Sequence, residues 1–300
     1  MEKISDYRAK KYSHEISVLM PTYNRSSLFY RSINSILNQS HKDFEFIILD
    51  DGSTDNSLYS LFIYLIKDDR IRVYFNRQNK GRPFSRNKLI DLSTSKYLAI
   101  MDSDDFSYPN RLEKQYTYMK NHPEIDIVTS HSSYNGKKGG HEQDNPETTE
   151  RLLINLLFNS SIVHPTIMMK KNFLEHHHIR YDESYTIVDD YSLTTQLLLA
   201  GAKFHMLTDT LIDVREHKTN GKEYYEIRQR EAWLIHNKLQ TAIIGPQKKS
   251  LAIDFCPRLE RLKEINKEKR LFDQPTIEQT FIEHCGWKNK NQSKPHILQD

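Results

Sequence analysis

Four short runs, ISVLM (16–20), FEFIIL (44–49), IRVYF (71–75) and YLAIM (97–101), are almost wholly apolar, and each is separated from the next by a longer amphipathic stretch. Strands that are apolar on both faces must be covered on both faces, so the alternation predicts a mostly parallel sheet flanked by helices. In such sheets ligands bind beyond the carboxyl ends of the strands. Three polar clusters, PTYNR (21–25), DDGSTD (50–55) and DSDD (102–105), each follow a strand end. They are expected to share one rim.

The intervening segments read as helices. Residues 26–39 carry Leu28, Phe29, Ile33, Ile36 and Leu37 on one stripe, with Ser26 or Ser27 as the cap. A second helix over 55–67 would turn Leu58, Leu61, Phe62, Leu65 and Ile66 inward, and a third, near 83–94, follows a turn at Asn79–Gly81. The polar, Gly-containing stretch 131–150 predicts a surface loop or flap. Beyond it come a helix at 151–158, a strand over 163–171 with Pro165 near its start, and a helix at 191–202 ending at Gly201. Residues 204–207 and 210–214 look extended, and beyond about 218 the chain turns helical and charged, notably at 258–272.

Composition narrows the class. Lys plus Arg number 43 against 40 Asp plus Glu, a surplus too small to point to nucleic acid. The two cysteines, Cys256 and Cys285, lack metal-ligand spacing, so neither a zinc ribbon nor a disulfide scaffold is expected. No apolar run nears the ~18 residues that cross a bilayer, and residues 1–15 lack the apolar stretch of a secretory signal. The expectation is a cytoplasmic protein. No GxGxxG or GxxxxGK[ST] occurs, which argues against a dinucleotide fold or a P-loop.

The clusters carry the chemistry. Asp102, Ser103, Asp104 and Asp105 follow an apolar strand, and carboxylates that close stay ionised only beside a cation. Mg²⁺ or Mn²⁺ suits such oxygen ligands, while the dipole of a following helix would favour the same acids. Asp50 and Asp51 fit either a strand-to-helix turn capped by Ser53 or Thr54, or an acceptor for a base N–H or ribose hydroxyl. Tyr23 can stack on a base and Arg25 can meet phosphate, and the basic turn around Lys80, with Arg86 and Asn87, can hold a diphosphate. Asp189 and Asp190 precede a helix, as caps or as a general base in the cleft. His164 and His217 fit ligands or structural histidines, and His176, His177 and His178 read as surface.

Taken in order, ISVLMPTYNR, FEFIILDDGSTDNS, NKGRPFSRN and YLAIMDSDDFSYPNRL resemble the family 2 glycosyltransferases of GT-A fold, and HPTIMMKKNFL, YDESYTIVDDYSLTTQLLLAG and VREH continue the resemblance to about residue 217. The resemblance implies that Pro21, Thr22 and Tyr23 lie against a nucleobase, with Arg25 near phosphate, and that Asp51 accepts from the base N3–H, favouring uracil. Arg86 would lie near the sugar or the phosphates. Asp102 and Asp104 match the family's DxD, the first with Ser103 beside ribose or donor sugar, the second on the metal, although the run DSDD leaves Asp105 open as the ligand. His217 sits where some members bring a further metal ligand. Asp190 matches the catalytic base of the family's ED pair, and Asp189 replaces its Glu.

The expected enzyme is therefore an inverting transferase, hexosyl- or N-acetylhexosaminyl-, working with Mn²⁺ or Mg²⁺. Its donor would be a UDP-sugar and its acceptor a saccharide or glycolipid, as in polysaccharide or lipopolysaccharide synthesis. A tail (1–14), a GT-A domain (15–217, with a nucleotide half 15–105 and an acceptor half 106–217) and a helical extension (218–300) are expected. Two alternatives compete: a non-catalytic nucleotide-sugar-binding subunit, and a sugar-1-phosphate nucleotidyltransferase, which would need a Gly-rich basic loop where PTYNR stands. Residues 258–272 fit peripheral contact with an anionic membrane, a homodimer contact, or a solvated helix laced with Glu–Lys pairs.

Overall fold

The computed structural model describes residues 2–3, 14–138, 149, 162–215 and 221–244. The expectations for 151–158, His217 and 258–272 fall outside those residues.

Strands β1 (Glu2–Lys3), β2 (Ile16–Thr22), β3 (Phe44–Asp50), β4 (Ile71–Phe75), β5 (Tyr97–Ile100), β6 (Phe106–Ser107), β7 (Ile127–Tyr134), β8 (Lys137–Lys138), β9 (Met168–Lys170) and β10 (Phe204–Val214) form one sheet. Its order among the described residues is β1-β4-β3-β2-β5-β9-β7-β10-β6, with β8 paired to β7. Strands β4, β3, β2 and β5 run parallel. Strand β9 is antiparallel to both β5 and β7, and β10 returns parallel to β7. The chain builds outward from β2 to β3 and β4, then crosses back to place β5 on the other side of β2. That reversal leaves a crevice at the carboxyl ends of β2 and β5, the usual place for a ligand in an open α/β sheet.

Side chains alternate between faces along each central strand. Val18 and Met20 pack with Phe29, Ile33 and Ile36 of α1 (Phe29–Leu37) and Leu61 of α2 (Ser57–Lys67). On the other face, Leu19, Ile47 and Leu49 pack with Leu89 and Ile90 of α3 (Arg82–Leu92). Helix α4 (Arg111–Asn121) joins the first layer, and α5 (Lys171–His176) and α6 (Asp189–Leu199) the second. Helix α7 (Lys222–Ile244) also packs on the second layer, where Ile235 and Leu239 are buried beside Leu193 and Leu197. Among the described residues no helix is long and apolar enough to cross a membrane.

Several local expectations are corrected. Helix α1 begins at Phe29, after a turn over 26–28, and neither Ser26 nor Ser27 caps it. Helix α2 packs into the core through Leu61 and Tyr64, buries Ser57 and Ser60 on the same face, where Ser57 accepts the Arg25 N–H, and leaves Phe62 and Ile66 exposed. Neither Ser53 nor Thr54 caps α2; the Asp55 carboxylate instead accepts the Ser57 N–H at 2.9 Å. Strand β7 runs through Tyr134, into what composition marked as loop, and turns back at once to β8. His164–Thr166 form a 3₁₀ turn, so extended structure there is limited to β9. The two extended pieces near 210 are one strand, β10, whose pairing with β7 shifts register between Leu207 and Ile212.

Candidate active site

The loops after β2 and β3 are stapled together through backbone donors. Asn24 holds φ +49°, and its side-chain oxygen accepts the Thr54 N–H at 2.9 Å while its own N–H donates to Ser53 Oγ at 2.9 Å. Ser26 N–H donates to Asp55. At the base of the same loops, Asp51 N–H donates to the Thr22 carbonyl at 2.8 Å. Tyr23 is left exposed at the rim. Thr22 Oγ1 and Asp50 Oδ2, level with one another at the ends of β2 and β3, are buried without a hydrogen-bond partner among the described residues. Burial pushes the Asp50 carboxyl above its ordinary range, against the Ser53 and Gly52 hydrogen bonds.

The Asp51 carboxylate gathers the next loop. It accepts from Asn76 Nδ2 at 2.7 Å, Lys80 N–H at 3.0 Å and Gly81 N–H at 2.9 Å. A carboxylate offers about four acceptor sites, so one remains. Gly52 makes the approach feasible: at φ +75° a Cβ there would stand 2.5 Å from the Gln78 carbonyl carbon. Gly81, at φ +93°, then opens α3.

Helix α3 presents Arg82 and Arg86 to the same rim. Arg86 is nearly fully buried and divides its guanidinium, with Nη1 donating to Asp189 Oδ2 at 2.6 Å and Nη2 to Asp102 Oδ1 at 2.9 Å. Arg82 Nε donates to Asp189 Oδ1 at 3.0 Å, and its Nη2 donates to the Ile187 carbonyl at 2.8 Å. Burial would raise the Asp189 carboxyl, but Arg86 and Arg82 outweigh it and hold it below the ordinary range.

Asp190 is treated differently, although both acids lie in the first turn of α6. Its Oδ1 accepts the N–H of Tyr191 at 2.8 Å, and the residue keeps partial exposure. Burial and the neighbouring Asp189 charge push its carboxyl up, with Arg86 and Arg82 opposing.

The DSDD loop follows β5. Asp102 leans on Arg86, Ser103 is buried beside it, and Asp104 lies 3.5 Å from Arg25. Asp105 turns inward and accepts the Arg215 N–H at 2.9 Å. Burial, reinforced by the charges of Asp102, Asp104 and Asp213, pushes it well above the ordinary range. That bond also ties the end of β10 to the acidic loop, two residues before His217. Among the described residues no three His, Cys, Asp or Glu side chains gather as a metal cage. Mg²⁺ does not need one, since it is bound by one or two carboxylates with waters and phosphates. The all-oxygen donors of Asp102 and Asp104 suit such an ion.

These contacts link residues 21–25, Asp51, Arg86, the DSDD acids and Asp189 along one rim of the sheet, with Asp190 next to Asp189 at the head of α6. His164 is buried behind the site: its Nε2 meets the Tyr181 hydroxyl at 2.8 Å, Tyr181 lies under the Arg86 guanidinium, and desolvation, aided by the Arg86 charge, keeps the imidazole neutral. The exposed His176, His177 and His178 hold no shared ligand position. Sequence reasoning missed three residues. Arg82 anchors Asp189, yet looked like one more basic residue in a turn. Arg111 is fully buried, donates to the Ile100 carbonyl at 2.8 Å, and places a cation behind Asp102 and Asp105. Glu231 on α7 accepts four hydrogen bonds from residues 186–188. A Glu in an ordinary amphipathic helix gave no signal.

The sequence profile described as Glycosyl transferase family 2 matches residues 17–179. The uncharacterized glycosyltransferase MJ1057 of Methanocaldococcus jannaschii is 35% identical over 205 residues, which cover 67% of this chain and 70% of that one. An uncharacterized glycosyltransferase of Rickettsia bellii is 42% identical over 120 residues, 40% of this chain but 17% of that longer protein. Among solved structures, S. aureus TarS 1-349 in complex with UDP-GlcNAc superposes with a TM-score of 0.62 at 17% identity, covering 90% of this chain and 80% of that one. The mannosyltransferase PcManGT from Pyrobaculum calidifontis, in complex with GDP-Man and Mn²⁺, gives 0.60 at 15% identity, covering 94% and 78%. The fold is that of the GT-A glycosyltransferases.

Proposed function

This chain belongs to glycosyl transferase family 2, and we propose that it moves a sugar from a UDP-sugar to a hydroxyl of a saccharide or glycolipid, inverting the anomeric carbon. The observation that carries the reading is the unequal treatment of the two acids heading α6. Asp189 is neutralised by two arginines and has no capacity to spare for a proton. Asp190 keeps partial exposure and a raised proton affinity. A base works best when its pKa is drawn toward the operating pH, and Asp190 is the carboxylate tuned that way.

The donor would enter the crevice at the ends of β2 and β5. Tyr23 would cover the base, with Pro21 and Thr22 beneath it, and the remaining acceptor site of Asp51 suits the N3–H of uracil. TarS binds UDP-GlcNAc in a related fold, which supports a uridine donor. Asp102, Ser103 and Arg86 would meet ribose and sugar, and Arg25 the diphosphate. Asp104 and Asp102, with His217, would hold Mg²⁺ or Mn²⁺; PcManGT was solved with Mn²⁺. When bound, the ion supplies positive charge to the departing diphosphate, so no acid is needed there. Asp190 takes the proton from the acceptor hydroxyl as its oxygen attacks C1 from the face opposite UDP. One displacement, with no covalent enzyme intermediate, gives inversion.

Residues 15–105 would serve the nucleotide and 106–217 the acceptor, with residues 218–300 as an extension whose 258–272 stretch suits contact with an anionic membrane on the cytoplasmic face or with a second copy. The deciding experiment is Asp190→Asn assayed with a panel of UDP-sugars and GDP-mannose. Transfer should fall by at least about 10²-fold, with UDP binding kept. Parental turnover in that variant would remove Asp190 from the mechanism, and turnover with GDP-mannose alone would overturn the uridine assignment.

A further inference from the structure

We propose that Glu231, on α7, is a positioning residue for Asp190, acting through the turn 186–188 that launches α6; this rests on the reading of Asp190 as the base. Glu231 Oε1 accepts the Thr186 N–H at 2.8 Å and the Thr186 hydroxyl at 2.9 Å. Its Oε2 accepts the Ile187 N–H at 2.9 Å and the Val188 N–H at 3.1 Å. One buried carboxylate therefore holds three consecutive backbone donors, and Asp190 follows two residues later.

The turn that leads into α6 does not satisfy its own N–H groups. The helix N-cap is Val188, which has no side-chain acceptor, and no side-chain cap hydrogen bond is made there. Inside the helix Asp190 accepts the Tyr191 N–H, but the N–H groups of Thr186, Ile187 and the N-cap Val188 also need acceptors, and the only side-chain oxygen within TIV is the Thr186 hydroxyl, which itself donates to Glu231. The acceptor is imported from more than forty residues downstream. Burial would push the Glu231 carboxyl up, but the donors from 186–188 outweigh it, so it stays ionised.

The clamp has two sides. Arg82 holds the Ile187 carbonyl and the Asp189 carboxylate from the α3 side, while Glu231 holds the N–H groups from the α7 side. Helix α7 is a firm mount, because Ile235 and Leu239 lie one and two turns beyond Glu231 on the same face and are buried in the core. With both clamps set, the first turn of α6 has a single rotation, and that rotation aims Asp190. A displacement of about 1 Å in a reacting group can cost 10²-fold in rate.

A residue that merely stabilises the fold would weaken donor binding and catalysis together. A positioning residue lowers kcat through Asp190 alone. The test uses the full chain with Glu231→Ala, Glu231→Gln and Thr186→Val, the latter two being milder changes should the alanine variant fail to fold. Turnover is read as UDP release from UDP-N-acetylglucosamine, UDP-glucose or UDP-galactose with acceptor, whichever the parent uses fastest. Binding is read by calorimetry with UDP and MnCl₂.

The expected result for Glu231→Ala is a kcat lowered about 10- to 100-fold, with the UDP dissociation constant within twofold of the parent. Glu231→Gln, which keeps one acceptor oxygen, should fall between the two, and Thr186→Val should lose less. In an Asp190→Asn background the Glu231 substitutions should cost nothing further, because two residues acting through one step are not additive. Parental kcat in the folded Glu231 variants beside an inactive Asp190→Asn would overturn the positioning role alone. So would equal losses in kcat and UDP affinity, or losses that multiply in the double variant. Parental kcat in Asp190→Asn would instead overturn the base reading.

Discussion

The guanidinium of Arg86 donates to the carboxylate of Asp189 at 2.6 Å, in a contact from which both side chains exclude nearly all solvent. The pair spans 103 positions of sequence and ties α3, on the nucleotide side, to the head of α6. Breaking a buried ion pair by removing one partner leaves an uncompensated charge. Asp189 is therefore part of the frame, and Asp190 is the acid the frame displays.

Two neighbouring isosteric changes should consequently have opposite effects. Asp189→Asn leaves the buried Arg86 with Asp102 as its one hydrogen-bonded carboxylate and is expected to cost on the order of 1–3 kcal/mol, less than a buried charge left with no partner, seen as a lowered Tm. Asp190→Asn should leave Tm unchanged or slightly raised at pH 7. The Asp190 carboxyl is pushed up by folding, so its ionisation opposes the folded state and a neutral amide relieves that cost. A thermal melt of both variants decides it. A large Tm loss in Asp190→Asn and none in Asp189→Asn would reverse the two roles.

Activity and stability should respond to acid at different pH values. If Asp190 is the base, as proposed, the rate requires its ionised form; its folded pKa lies above the ordinary 3.8, so kcat should begin to fall on a limb above that value. Asp189 and Glu231 have folded values below their ordinary 3.8 and 4.5. Their stabilisation is complete above those ordinary values and is lost only as pH drops through the lowered ones. On acidification the enzyme should stop before it unfolds. Superimposable profiles of kcat and Tm against pH would count against the raised proton affinity of Asp190.

Gly52 is where the loop after β3 touches the backbone of the loop after β4. Gly52→Ala would press a Cβ against the Gln78 backbone at φ +75°, a conformation that L side chains rarely adopt. The cost should be on the order of 1–3 kcal/mol. Because Asp51 gathers the 79–81 loop through that contact, UDP affinity should fall along with Tm. Calorimetry that returned parental UDP affinity would detach this loop from the nucleotide site.

The strands and the rim were legible because each depends on local pattern. Apolar runs such as FEFIIL announce a two-face-buried strand, and the clusters that end them inherit the rim from topology. What could not be read were partnerships made across the fold. The resemblance assigns the base role to Asp190, but nothing near Asp189 says that Arg82 and Arg86 will pair with it. Nothing near Val188 says that its N–H will be met by Glu231. The inward face of α2 was misjudged for a related reason. Leu58, Phe62 and Ile66 form a plausible stripe, yet the helix packs through Leu61 and Tyr64, with Ser57 on the same inward face accepting the Arg25 N–H.

The acidic loop gives the remaining test, since adjacent Asp104 and Asp105 compete for one assignment. Asp105 is buried, spends an oxygen on the Arg215 N–H, and has its proton affinity raised by burial and its acidic neighbours. A carboxyl disposed to keep its proton is a poor ligand for a hard cation, which requires the ionised form. Asp104 keeps some exposure and faces Arg25 at 3.5 Å, a contact that diphosphate and ion could replace. Asp104→Ala should therefore weaken UDP binding in MnCl₂ by at least about tenfold, or ~1.4 kcal/mol, and leave the residual affinity insensitive to EDTA. Asp105→Asn, whose amide oxygen can still accept from Arg215, should retain metal-dependent binding. If calorimetry shows metal dependence lost in Asp105→Asn and kept in Asp104→Ala, the ligand is the buried acid, and the loop must open to bind its ion.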